Sequence, residues 1–174
     1  MILFSRIFVL LGLLSLGACG FSPVYSEKSG SAASAQLRNI EIAPAGERTT
    51  QLVRNQLIKQ FSDRGETPAP QFYLSLVVTE SLSSVLIRRT TDIQRNNLTI
   101  NAQYTLQTAD RRSVLTKGRT VAVAPYNLVS TNFGTISTSE FANESARKDA
   151  RKKAAISVAD DIARRLAAFL ATRS

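Results

Sequence analysis

A strict alternation of apolar and polar side chains over residues 97–108 is the clearest pattern in this chain. Apolar side chains fill the even positions from Leu98 to Leu106, and threonine, asparagine or glutamine fills the odd positions between them. A period of two is typical of a strand that buries one face and exposes the other to water. The pattern therefore predicts a half-buried antiparallel strand.

Three further segments have the character of strands. Residues 37–43 alternate and are followed closely by proline and glycine, which end strands. Residues 71–88 alternate at first and then become rich in serine. A last strand is predicted over residues 113–124, where we expect Pro125 to stop it, and residues 109–112 form the tight turn before it.

Two segments change to a helical period. Residues 47–64 place Val53, Leu57 and Phe61 four positions apart, which predicts an amphipathic helix. A second, longer helix is predicted to run to Ala171 after a capping box formed by Ser137 and Glu140. The segment before it, residues 125–138, is predicted to be a long loop, and long loops are often functional.

The first half of the long helix is crowded with basic residues. A run of charge on a helix is usually a solvated face, and the alternative is a face directed at lipid phosphates. The residues concerned are Arg147, Lys148, Arg151, Lys152 and Lys153.

These elements together predict an α+β fold with the order β-α-β-β-β-α. A four-stranded mixed sheet with two helices packed on one face satisfies every pattern and leaves the other face in water. We expect the first helix to lay the first strand parallel to a later one, and the later strands to be antiparallel to each other.

The first eighteen residues precede this domain and differ from it. Arg6 supplies a positive charge, a short apolar run follows, and small residues lead to Cys19, the only cysteine. This order is typical of a secretory signal, and the run is shorter than the roughly 20 apolar residues of a membrane span. The sequence LGAC at residues 16–19 has the form of a bacterial lipobox, which predicts lipid attachment at Cys19. The alternatives are a plain signal peptide with an unrelated cysteine and a signal anchor.

Residues 19–36 are predicted to be the lipidated N-terminus and a flexible tether. After Tyr25 the segment is rich in serine, glycine and alanine and shows no apolar period. The apolar residues between Phe21 and Tyr25 either contact the membrane or a partner, or belong to the spacer. Residues 37–174 are then one domain, for which 44% hydrophobic residues supply a core.

Charge and missing side chains narrow the possible functions. The chain carries a formal net charge of +9, so its natural partners are nucleic acid, anionic lipid or an acidic protein surface, and export argues against nucleic acid. It has no histidine, and acylation of Cys19 would remove its only thiol. No phosphate loop or metal-ligand cluster is recognisable. We therefore predict a binding or assembly role, with no enzymatic activity and no cofactor.

The start CGFSPVY at residues 19–25, the order of elements and the letters RNQL at residues 54–57 resemble the LptE family of lipopolysaccharide-assembly lipoproteins. The resemblance implies a lipoprotein at the inner face of the outer membrane that plugs a large β-barrel translocon (LptD-like). It also implies help in assembling the barrel and binding of lipopolysaccharide while the pair inserts it into the outer leaflet. Gly20 fits this location, because the sorting system would retain a lipoprotein with an aspartate at that position in the inner membrane.

Phosphates attract arginine and lysine, so basic residues near the strand links are the lipopolysaccharide-binding candidates. Lys117 and Arg119 share one strand face by their spacing. For each of these cations the alternative is an ordinary solvated side chain. Residues 125–138 are a separate candidate, for contacts with the barrel. The candidates are Arg88, Arg89, Arg95, Arg111, Arg112, Lys117 and Arg119.

Two other functions stay open at this point. The first is an auxiliary lipoprotein of an ABC-type envelope lipid transport system, which would have an inner-membrane permease or a lipid carrier as its partner. The second is an envelope enzyme that uses carboxylates, although no spacing in the sequence singles out a pair.

Overall fold

The computed structural model describes residues 36–61, 69–85, 93–129 and 136–173. The elements follow the predicted order β-α-β-β-β-α. They are β1 (Ile40–Ile42), α1 (Arg48–Phe61), β2 (Phe72–Val85), β3 (Ile93–Thr108), β4 (Val114–Val129) and α2 (Ile136–Ala171). The predicted signal peptide, Cys19 and all of the predicted tether except Gln36 lie outside the described residues.

The four strands form one mixed sheet in the order β1-β2-β3-β4. β1 is parallel to β2, with Ile40 opposite Phe72, and the two later pairs are antiparallel. Val78 and Ala102 are opposite each other on β2 and β3, and Ala102 is opposite Thr120 on β4. The sheet therefore has the predicted mixed arrangement, in which α1 supplies the crossover between the two parallel strands.

The even-numbered side chains of β2 and β3 face the helices and form the core. Leu98, Ile100, Ala102, Tyr104 and Leu106 on β3 are all buried, which confirms the period-two prediction. Because the partners of these residues on β2 and β4 are also even-numbered, the registers place one apolar surface across three strands. The odd-numbered side chains lie on the opposite face.

Both helices cover this apolar surface. α1 contacts β1 and β2 and buries Val53, Leu57 and Phe61, as its four-residue spacing predicts. α2 contacts β3, β4 and α1. Alanines form much of its buried stripe, and their small side chains allow the helix to approach the sheet closely. The buried residues of α2 are Ala150, Ala154, Ala155, Val158, Ala159, Ile162, Ala163, Leu166, Ala167 and Leu170.

An ion pair links α2 to β2 inside this layer. Nε and an Nη atom of Arg151 donate to the carboxylate of Glu80 at 2.6 and 2.7 Å, and Thr49 at the start of α1 donates to it at 2.8 Å. The hydrogen bond from Arg151 lowers the pKa of Glu80 more than burial raises it. The interpretation of the basic run as a solvated face is therefore wrong for Arg151, whose side chain is 14% exposed.

β4 is longer than predicted, because it continues through Pro125 to Val129. The direction of the backbone groups explains why a proline fits within this strand. The N–H of Ala43 donates to the C=O of Leu74, so the even-numbered residues of β2 direct their backbone N–H and C=O groups toward β1. This direction alternates along each strand, and the registers carry the alternation across the sheet. From Lys117 onward, beyond the register shift near the start of β4, odd-numbered residues of β4 therefore direct N–H and C=O to the free edge. Pro125 is odd-numbered, so its missing N–H costs no hydrogen bond to β3.

Two further predictions at this end of the chain are wrong. The long loop predicted over residues 125–138 is strand up to Val129 and helix from Ile136. Ser137 lies inside that helix instead of preceding it, so the helix does not begin at the predicted cap. Within the described part of the chain, no helix combines the length and the apolar character that a membrane span requires.

Candidate functional site

The odd-numbered residues of β2 and β3, together with those of β4 from Lys117 onward, form a surface that neither α1 nor α2 covers, here called the open face. On β3 it presents threonine, asparagine and glutamine, as the alternation predicts. Val77, Val121 and Val123 add exposed apolar side chains, between 52% and 63% accessible. Along the described residues of these three strands the open face carries no carboxylate, and the acids next to it include Glu41 on β1, opposite Tyr73, and Asp110 in the turn between β3 and β4. The surface is thus polar, partly apolar and basic.

Arg111 lies at one end of the open face, in the turn between β3 and β4. Its φ of 59° is in the left-handed region, which costs a residue with a Cβ roughly 1 kcal/mol. Arg111 N donates to Thr108 O, and Asp110 accepts hydrogen bonds from Thr108 and from the backbone of Arg112. This turn holds the Arg111 guanidinium 3.8 Å from the centre of the Tyr73 ring.

Lys117 and Arg119 lie on β4 near the same end. They are opposite Thr105 and Gln103, so both belong to the open face and both are exposed. Arg119 Nε donates to Asn101 Oδ1 at 2.8 Å, which holds its guanidinium over β3. The prediction that these two cations share one face is confirmed.

The other candidates are not part of this group. Arg95 is on the open face, opposite Asn127, but it precedes Gln103 by eight residues, or about 26 Å of strand. Arg112 is exposed at the turn and lies 3.9 Å from Asp110. Arg88 and Arg89 lie outside the described residues. The structure therefore gathers Arg111, Lys117 and Arg119 at one end and leaves Arg95 near the other.

A cleft that the sequence did not reveal lies between the free edge of β4 and α2. Its volume is about 450 Å³, and its lining is mostly polar or charged. Arg164 and Arg165 bind Asp161 at 3.2 and 2.8 Å from the helix side. A period of 3.6 places them outside the apolar stripe, but only the packing of α2 on the sheet brings them next to β4. The lining residues are Arg119, Thr120, Val121, Ser157, Asp161, Arg164 and Arg165.

Asp161 is the acid of this cleft. Burial disfavours its charged form, but hydrogen bonds from Thr120, Arg164 and Arg165 outweigh burial and hold the pKa of Asp161 below its usual value. Asp161 is therefore ionised at neutral pH and neutralises part of the charge of Arg164 and Arg165. Nothing in the described part of the chain groups three or more residues able to hold a metal ion.

Solved structures similar to this chain include bacterial lipoproteins. A candidate lipoprotein from Caulobacter crescentus superposes with a TM-score of 0.61 and is 24% identical, covering 80% of this chain and 96% of its own. Rare lipoprotein B from Shewanella oneidensis is 14% identical, with a TM-score of 0.45, covering 71% of this chain and 91% of its own. The first similarity supports the fold alone, and the second is too loose to carry an inference.

A family model gives a more specific result. The model for LptE, described as lipopolysaccharide-assembly, matches residues 37–166, which include every described strand and most of α2. No curated protein matches the chain significantly. The extent of the family match is decisive, because it spans the helix-covered core and the open face together. The chain therefore belongs to the LptE lipopolysaccharide-assembly family.

Proposed function

We propose that this protein is an outer-membrane lipoprotein that plugs the β-barrel translocon of lipopolysaccharide. In this proposal it is anchored through Cys19 at the periplasmic side, helps the barrel to assemble and binds lipopolysaccharide during insertion into the outer leaflet. Membership of the LptE family supports an assembly role without enzymatic chemistry. The observation that carries the more specific proposal is the open face, which is long, polar and basic.

The division of the sheet into two faces suits a plug. α1 and α2 cover most of one face, where they form the core of the described residues. The other presents hydroxyl and amide side chains that can hydrogen-bond to a polar barrel lumen. The interior of a large membrane barrel is polar, because its strands alternate apolar-out and polar-in.

The group formed by Arg111, Lys117 and Arg119 is the part of this face best suited to lipopolysaccharide phosphates. Phosphate is bound strongly by arginine through paired N–H donors. Tyr73 and Asn101 hold two of these guanidinium groups in place, which reduces the rotamer entropy lost on binding. We propose this group as the primary contact and the remaining candidates, including Arg88, Arg89, Arg95 and Arg112, as secondary.

The double variant Lys117→Glu/Arg119→Glu tests this assignment. We expect its affinity for lipopolysaccharide, measured by calorimetry with the full chain, to fall at least tenfold in low salt. The difference should shrink as salt rises, because exposed charges are screened beyond about 10 Å at 0.1 M ionic strength.

The matched control is Lys152→Glu/Lys153→Glu, which makes the same change in net charge on the exposed side of α2. We expect this control to weaken binding by less than threefold. If both double variants lose the same affinity, binding depends on net charge alone and the open face is not the lipid site.

A further inference from the structure

We propose that the free edge of β4 binds an extended segment of a partner protein as a fifth strand, with acidic side chains at alternate positions. The proposal rests on the backbone direction of β4 and on the cleft beside it. It goes beyond lipopolysaccharide binding and does not depend on it.

The edge is long and open. β4 pairs with β3 on one side from Val114 to Val129 and has no neighbour on its other side in the described sheet. The N–H and C=O groups of Arg119, Val121 and Val123 point to that free side, as the registers require. A row of unpaired backbone groups is a template for another strand. Main-chain hydrogen bonds would supply affinity in such strand addition, and pockets for alternate side chains would supply specificity.

The cleft provides those pockets on one side of the added strand. Side chains of a strand paired to β4 would alternate between the open face and the cleft, because successive residues point to opposite faces. Arg119, Arg164 and Arg165 line the cleft, and the carboxylate of Asp161 binds the last two. Arg164 and Arg165 are 64% and 54% exposed, so they retain donors for a second carboxylate. The partner side chains that enter the cleft are therefore expected to be aspartate or glutamate.

The same features disfavour a phosphorylated lipid as the occupant. Val121 is the only apolar side chain among the residues lining the cleft, and it is half exposed, so acyl chains would find no apolar floor. The ionised carboxylate of Asp161 repels a ligand with several phosphates more than it repels a single carboxylate. The first objection does not apply to a strand whose backbone hydrogen-bonds to β4, and the second applies to it less strongly.

The test uses the full chain in mild detergent and two blocked nine-residue peptides. One peptide alternates glutamate with valine, and the other alternates lysine with valine. We expect the glutamate peptide to bind and to slow amide hydrogen exchange of Arg119, Val121 and Val123. The lysine peptide should bind at least tenfold more weakly. Equal binding of both peptides, or no binding of either, would overturn the proposal.

Val121→Pro separates backbone pairing from charge. The N–H of Val121 faces the free edge and the Val121 side chain is exposed. The variant should therefore fold normally, since β4 already accommodates Pro125 at a position of the same backbone direction. We expect it to lose at least tenfold in affinity for the glutamate peptide, whereas the matched Val121→Thr keeps native affinity. Native melting temperature with unchanged peptide affinity in Val121→Pro would contradict strand addition.

Arg164→Gln/Arg165→Gln tests the cleft, and lipid A bisphosphate micelles test the other occupant. We expect the double variant to weaken glutamate-peptide binding at least fivefold at low salt while its affinity for lipopolysaccharide changes little. If the micelles protect the β4 amides and the peptide does not, the edge is a lipid site and the proposal is wrong. Loss of lipopolysaccharide binding in Lys117→Glu/Arg119→Glu leaves the Val121→Pro comparison unaffected, so the two proposals fail separately.

Discussion

Replacing Arg151 with alanine should lower the free energy of unfolding by about 3 kcal/mol. The substitution leaves the Glu80 carboxylate inside the helix-covered layer with Thr49 as its remaining donor. Breaking a buried ion pair from one side costs about 3–5 kcal/mol, because the remaining charge keeps its desolvation penalty. Side chains that are 14% and 18% exposed place this pair at the lower end of that range. Urea denaturation measures the change.

Lys152→Ala is the matched control, since it removes a neighbouring exposed cation from the same helix. Its effect should stay within about 0.5 kcal/mol. An Arg151→Ala protein as stable as this control would show that the pair does not stabilise the fold.

The pair should also make stability depend on pH. Because the folded-state pKa of Glu80 lies below its usual value, the contribution of this carboxylate is present at neutral pH. It is lost as the pH falls below the ordinary glutamate range and through the lowered value. The stability difference between the native protein and Glu80→Gln should therefore shrink on acidification.

Replacing Gly118 with valine should have a similar effect on stability for a steric reason. Gly118 is opposite Tyr104, whose ring covers it. A Cβ at this position would lie 2.5 Å from the Tyr104 hydroxyl oxygen and 2.6 Å from Cζ, closer than atoms pack. Tyr104 is only 6% exposed, so its ring has little room to move. Overpacking of this kind costs about 1–3 kcal/mol, and we expect the upper part of that range.

Gly46→Ala is the control for removing a glycine. A Cβ at Gly46 meets nothing within 4 Å, so we expect a stability change below about 1 kcal/mol. Thermal unfolding of both variants gives the comparison. If Gly118→Val has the same melting temperature as the native protein, the close approach of the Tyr104 ring to Gly118 is not part of the folded state in solution.

Most of the fold could be predicted because local periods report burial. Two patterns identify the side chains that face the core. They are the alternation from Leu98 to Leu106 and the four-residue spacing of Val53, Leu57 and Phe61. The end of β4 could not be predicted in this way. Whether Pro125 ends a strand depends on which direction its backbone faces, and that is set by the register with β3.

The candidate site was less predictable, because it combines residues that are distant along the chain. Lys117 and Arg119 are two residues apart on one strand, and their shared face could be predicted. The contact of Arg111 with Tyr73 depends on a turn and on a neighbouring strand, so no local period indicates it. The same holds for Arg151, which differs from the exposed cations beside it only through Glu80 on another strand.

The fold connects these observations to the proposed role. α1 and α2 use one face of the sheet for stability, and the ion pair of Glu80 with Arg151 links both helices to β2 through Thr49. The open face and the β4 edge are thereby left for partners. In the proposed role, this division lets the chain present a basic surface to its partner without exposing its core.

Photocrosslinking in cells tests the barrel proposal most directly. A photoreactive residue at Val77 or Val123 would sample the open face, and one at Lys153 would sample the exposed side of α2. A plug is surrounded by its barrel, so we predict crosslinks to one outer-membrane β-barrel protein from all three positions. Crosslinks to lipopolysaccharide should come from Val77 and Val123 and not from Lys153. Crosslinks to an inner-membrane permease, with none to a β-barrel from any position, would contradict the proposal.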